Sequence, residues 1–414
     1  MEQPRARHIP ELLQVHAEEL AFVWGRRRAA LHSPEQTQAD FADLSERVEA
    51  HTQGLLCAPP TALLELLSPG LAADDADESF AAAHGLLRSG TPAALQAVIV
   101  AFTRAHGPTL QGVREALCLA APAPVAGEMQ SALDHAKPTT AAAAAAVLAS
   151  HQLLPASSPR LAGLLDDPDG ATAALAWRAA LPADHRARTA AATRPNVGPS
   201  VRPSVRPYAQ AVAHADASVR DAAWAAVAWA GHRAAHPVLR QRAGDGDAVA
   251  LRWLAILAGP EDLAPLQRAV LGVADGAARC GLLARHSHPG GLNALVRWMQ
   301  DPDEATAVAA GEAFEQITGI EVRGERRQLA APENADAFDR EMAPLVWFPD
   351  AVKARAALEH HATAWAAGQR WRRGVCVDPE PDTAAVRMLD MQARWDMAAR
   401  SALRGGVSPP PPLA

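Results

Sequence analysis

Between Asp216 and Gly319 the apolar positions recur with the period of a helix, not with the alternation of a strand. In the first stretch Val219, Ala223, Val227 and Ala230 share one face, and in the next Val249, Trp253, Ile256 and Leu257 do the same. Each stretch opens on an aspartate: Asp216, Asp247, Asp275 and Asp303 lie 31, 28 and 28 residues apart. A carboxylate there accepts the unpaired N–H groups of a first helical turn and favours its positive dipole end. Second helices keep the same beat, with Leu239, Leu266 and Leu295 spaced by 27 and 29 residues. One helical pair cannot cover its own apolar stripe. Neighbouring pairs must therefore stack, which predicts an all-α chain built as an α-solenoid.

The same reading divides the chain. Residues 1–60 form an N-terminal helical cap of two helices. Leu12, Leu13, His16, Leu20 and Val23 share a stripe on the first, and Phe41, Leu44, Val48 and His51 on the second. Residues 61–199 carry degenerate helical repeats, with starts at Asp77, Thr109, Pro138 and Asp167. The run Ala141–Ala146 reads as a buried helix making close inter-helix contact. The stretch from Arg194 to Pro207 holds four prolines and three arginines, and it predicts an extended connector. Residues 200–319 hold the clear repeats. Residues 320–404 form an irregular helical C-terminal region, with an apolar cluster at Leu345–Phe348 and helices expected at 350–367 and 383–403. Residues 405–414, rich in glycine and proline, predict a disordered tail.

Composition sharpens this picture. Hydrophobic residues are 49% of the chain, mostly alanine, while aromatics are 4%. Each alanine buries little area, so larger Leu, Val and Trp side chains must anchor the packing. The net charge of −7 argues against a nucleic-acid binder, which carries a basic stripe. Cys57, Cys118, Cys280 and Cys376 are too scattered for a zinc site or a disulfide framework. No apolar run is long enough to cross a membrane, and a cytoplasmic protein is expected.

Candidate chemistry is sparse. His286 and His288 flank a turn, and Glu359-His360-His361 lacks the i, i+4 histidine pair of a helical zinc site. His16 shares a face with Leu20 and reads as a packing residue. No nucleophile elbow, phosphate loop or nucleotide fingerprint is present, so no catalytic residue, metal or cofactor is expected. The local cluster Arg202, Arg206, Arg220, Arg233, Arg240 and Arg242 stands out, although Asp216, Asp221, Asp245 and Asp247 interleave with it. Among the tryptophans, Trp229 lies roughly eighty degrees from the Val219 stripe, which predicts an outward face.

The element Asp216-Ala217-Ser218-Val219-Arg220 resembles the Asp-x-x-Val-Arg signature of HEAT-like repeats. Three further stretches are similar to an uncharacterised proteobacterial HEAT-repeat family. They are His16–Trp24 with Glu46–His51, then Ala310–Gly319, then Val346–Asp350 with Gly368, Gln369, Arg370 and Gly374. The run Trp371-Arg372-Arg373 departs from that family's pattern. The resemblance implies stacked HEAT-like helical pairs and an interaction protein without established catalytic residues, with an adaptor role linked to type VI secretion. HEAT-like repeats also occur in DNA base glycosylases, which gives the alternative reading. The expectation is a scaffold that binds another protein through Trp229, Arg233, Arg240 and Arg242, with Arg202 and Arg206 nearby.

Overall fold

The four aspartates of the clear repeats do cap helices, whereas the helix expected to start at Asp77 is capped by Asp75. The Asp216 carboxylate accepts from the Ser218 N–H at 2.7 Å, Asp275 from Ala277 and Ala278, and Asp303 from Thr306. Asp247 accepts from Val249 at 3.0 Å. Replacing such a cap by alanine costs about 1 kcal/mol. In this computed structural model residues 9–192, 206, 208–331, 336–366, 368–378 and 380–413 are described. Helix makes up 71% of the structure and strand 4%. The all-α expectation holds, with two small hairpins added.

The chain divides into two units, the first formed by residues up to His232 with those from Ser401 onward, the second by Arg233–Arg400. In the first, α1 (Pro10–Ala30) and α2 (Gln38–Leu56) lead to α3 (Pro60–Leu67), α4 (Ala76–Arg88), α5 (Pro92–Arg104) and α6 (Gly107–Leu119). They are followed by α7 (Pro122–His135), α8 (Pro138–Ser150), α9 (Pro159–Leu165), α10 (Gly170–Ala192), α11 (Tyr208–Ala211) and α12 (Ala217–Trp229). Every second helix packs on the next: α4 on α6, α6 on α8, α8 on α10 and α10 on α12.

Small residues permit this spacing. A Cβ at Gly112 of α6 would sit 2.1 Å from the Ala76 carbonyl oxygen and 2.7 Å from the Phe80 amide nitrogen, so α4 approaches backbone to backbone. Ala141–Ala146 of α8 are all fully buried. Large rings fill what the methyl groups leave open: Trp24 stacks on Phe80 with centroids 3.6 Å apart, and Trp177 and Trp224 are buried. Residues 405–413, expected to be disordered, are described along this unit, where the Gly406 carbonyl accepts from Arg188 at 3.2 Å.

The second unit opens with α13 (His236–Gly244), α14 (Ala248–Leu257), α15 (Leu263–Leu271), α16 (Gly276–His286), α17 (Leu292–Trp298) and α18 (Glu304–Thr318). Again α13 meets α15, α14 meets α16 and α16 meets α18. Beyond Gly319 two hairpins enter the region expected to be helical, while helices do lie within the expected 350–367 and 383–403. Strand β1 (Arg323–Gln328) pairs antiparallel with β2 (Leu345–Pro349), and α19 (Ala337–Glu341) lies between them in sequence. After α20 (Ala351–Trp365), a second hairpin joins β3 (Trp371–Arg372) to β4 (Val375–Cys376). Helices α21 (Thr383–Met388) and α22 (Met391–Leu403) follow. The run Leu345-Val-Trp-Phe is β-branched and aromatic, which suits a pleated, half-covered surface. Gly319 terminates α18 at φ +69°, and a Cβ there would lie 2.6 Å from the Arg373 carbonyl carbon.

Among the described residues no single helix is long and apolar enough to cross a membrane. Only α2 taken together with Pro60–Ala72, a pair bent by 116°, meets that length and composition.

Candidate interaction surface

The arginines singled out by the sequence are mostly committed to carboxylates. Arg206 is buried in the first unit, where its guanidinium grips Asp184 at 2.6 and 2.8 Å and donates to the Ala156 carbonyl. Arg202 lies outside the described residues. In the second unit Arg242 donates to Asp247 at 3.2 Å, and Arg240 donates through Nε to Asp262 at 2.6 Å. Arg233 is exposed. Trp229, expected to face outward, is only 3% exposed. The angular argument fails because the last turn of α12, Ala226–Trp229, is buried on every side, while half-buried Ser218, Asp221 and Ala225 leave a partly open face only nearer the helix start.

Arg240 belongs to a junction that the sequence did not reveal. Asp262, 0% exposed, accepts from His236 Nε2 at 2.7 Å and from the Gly259 N–H at 2.7 Å as well as from Arg240. Burial works against its charge, but the bonds from His236 and Gly259, joined by Arg240, prevail and hold the carboxyl at about 2. Ligand atoms of His236, Glu261 and Asp262 lie within 4.8 Å of one another. The Arg240 cation already sits on both carboxylates, at 2.6 Å from Asp262 and 3.8 Å from Glu261, so the set fits an internal ion pair better than a metal.

A carboxylate depressed on folding stabilises the fold above its ordinary range, and that contribution is lost as pH falls through the folded value. Acid unfolding of the wild type, followed by circular dichroism, is therefore expected to steepen between pH 4 and about 2. Asp262→Asn should flatten the profile in that window. Superimposable profiles would show that the junction carries no pH-linked stability.

The histidines have packing roles. His16 is half-buried, its Nδ1 is 3.2 Å from that of His51, and its ring covers Gly54. His286 bonds the Ala255 carbonyl at 3.3 Å, and burial, aided by Arg370, pushes its imidazole far below the usual range. His288 accepts from the Gly290 N–H at 3.0 Å.

The exposed chemistry of the second unit is concentrated on the β1–β2 ribbon. Its register sets Arg326 opposite Trp347, Arg327 opposite Val346 and Gln328 opposite Leu345. Side chains alternate across a strand, so Arg326, Gln328, Leu345 and Trp347 form one face, and Arg327, Val346 and Phe348 the other. Val346 and Phe348 are half-buried, and β2 packs against α18 with Pro349 beside Gly311. The Arg327 guanidinium lies 3.5 Å from the Phe348 ring centre and pairs with Glu304. On the first of these faces Leu345 is 53% and Trp347 46% exposed, with Arg326 5.7 Å from the Trp347 ring. Beside the ribbon a cleft of about 210 Å³ is lined by Val308, Glu312, Glu315, Arg323 and Trp347.

No family model matches the chain, and no curated protein does. The geometry itself therefore carries the reading. Among the described residues, five of the fifteen exposed large apolar side chains fall between Phe338 and Val352: Phe338, Met342, Leu345, Trp347 and Val352. An exposed apolar group bordered by arginine is what association surfaces present, and Trp and Arg are the residue types most enriched at their energetic centres. The signal in the sequence was the apolar run Leu345–Phe348. Its partner strand is polar, and it offered none.

Proposed function

We propose that the chain is a non-catalytic scaffold or adaptor that binds another protein, with its repeats stacked as a HEAT-like α-solenoid and its partner held at the β1–β2 ribbon. The every-second-helix packing within each unit and the recurrent aspartate caps support the solenoid. The single observation behind the ribbon is its exposed Leu345 and Trp347 beside Arg326. This reading replaces Trp229 and Arg240 as contact residues, because the first is covered and the second is bonded to a buried aspartate. A soluble, cytoplasmic adaptor, associated with type VI secretion as the family resemblance implies, is the setting we infer.

The test is capture from lysate of the native host with tagged full-length chain, followed by mass spectrometry and titration of any retained protein. Trp347→Ala is expected to weaken that protein's binding about thirty-fold, the ~2 kcal/mol of an interfacial hot spot. Its circular dichroism should match the wild type, since the ring is 46% exposed. A partner that binds Trp347→Ala/Leu345→Ser undiminished, or the absence of any retained protein, would dismiss the ribbon.

A further inference from the structure

The segment Ser408–Leu413 carries four consecutive prolines, whose fixed φ forces a polyproline II helix of three residues per turn. Its burial follows that period. Ser408 and Pro411 are half-buried, as are Pro410 and Leu413, while Pro409 and Pro412 are exposed. Two of the three rows of this helix thus face the protein and one faces solvent. The covering surface is a cleft of about 610 Å³ between the ends of α6 and α8 and the middle of α10, with Pro409–Leu413 as one wall. Leu119, Pro182 and Ala190 give it an apolar floor, and Ser150, Gln152 and Thr189 border it. A polyproline helix has no internal hydrogen bonds, so its carbonyls depend on outside donors. Arg188 donates to the Gly406 carbonyl at 3.2 Å, and His185 bonds the backbone of Val407.

We propose that this cleft is a receptor for a proline-rich extended segment of another protein, and that the chain's own Pro409–Leu413 occupies it as a self-ligand. Three observations combine here. The cleft already holds a segment of this chemistry, seated in the three-residue register such a ligand requires. The strap leaves open volume beside it, so its fit is incomplete and it can be exchanged. It is also attached by a short Gly405-Gly406 hinge, with Gly405 at φ +100°, which lets it leave without unwinding α22. The site is in the first unit and does not depend on the ribbon.

The experiment uses the full chain and a fluorescein-labelled peptide, Val-Ser-Pro-Pro-Pro-Pro-Leu-Ala, read by anisotropy. A tethered self-ligand competes at a local concentration near millimolar, which weakens apparent binding of the free peptide. Pro410→Gly/Pro411→Gly removes both inward rings and is expected to bind the peptide on the order of tenfold more tightly than the wild type. Pro409→Gly/Pro412→Gly, which alters the two more exposed rings, should tighten binding less than Pro410→Gly/Pro411→Gly. Leu119→Arg, at a position 41% exposed and so tolerant of change, should abolish binding when added to Pro410→Gly/Pro411→Gly. Failure of the peptide to bind Pro410→Gly/Pro411→Gly, or binding indifferent to Leu119→Arg, would overturn the receptor. A wild-type dimer that Pro410→Gly/Pro411→Gly dissolves would assign the cleft to a second copy's strap and would equally overturn a separate partner.

Discussion

Glu115→Ala is expected to destabilise the first unit by about 3–5 kcal/mol, read as a lower urea midpoint at unchanged m-value. The carboxylate is only 3% exposed and joins α1 to α6. It accepts from Trp24 Nε1 at 2.8 Å and Arg28 at 3.1 Å on α1, and from Gln111 at 2.9 Å on its own helix α6. Arg114 approaches at 3.5 Å, and Arg28 also reaches Asp77 of α4 at 2.7 Å. Truncation leaves the indole N–H buried with no acceptor and two guanidinium groups short of a counter-charge. Glu115→Gln keeps an acceptor for Trp24 but not the charge, and should fall between the wild type and alanine. A loss below about 1 kcal/mol for the alanine variant would mean that water replaces the carboxylate at little cost.

The second large effect is expected at Arg372. This side chain is 2% exposed and forms a two-pronged bond with Asp390, 0% exposed, at 2.7 and 2.9 Å. It also donates to the Ala284 carbonyl at 3.0 Å, tying the β3–β4 hairpin to α16. Asp390 in turn accepts from the Ala393 N–H at 2.9 Å and so starts α22. Arg372→Ala leaves the buried carboxylate with only the longer contact to Arg373 at 3.4 Å and should cost about 3–5 kcal/mol, with proteolysis opening first around the hairpin. Arg372→Met/Asp390→Leu should recover much of that loss, because no uncompensated charge remains. If the double variant is as unstable as Arg372→Ala, shape and not charge governs the junction.

Features set by neighbours in the chain were legible in the sequence. The caps at Asp216, Asp247, Asp275 and Asp303, the buried run Ala141–Ala146 and the stop at Gly319 each follow from local stereochemistry or helical period. What depends on distant partners was not legible. Arg206 and Arg240 read as a basic surface because Asp184 and Asp262, each 22 residues away, show no pattern that announces them. Trp229 was misplaced because periodicity gives angles around a helix but not how many sides are covered. The ribbon was half visible: β2 has a strand's composition, while Arg-Gly-Glu-Arg-Arg-Gln of β1 becomes a strand only through its partner and its anchorage to Glu304. The β3–β4 hairpin sits where the family resemblance also fitted least well, around Trp371-Arg372-Arg373.

The alanine helix at the centre of the first unit bears on temperature. Six buried methyl groups in succession expose far less apolar surface on unfolding than leucines at the same sites would. The heat-capacity change of unfolding follows that surface, so each residue of such a core contributes less to it. A smaller change flattens the curve of stability against temperature. An interior held by close fit and a few large rings therefore keeps a more even margin between cold and warm conditions than one of equal stability built from bulky aliphatic side chains.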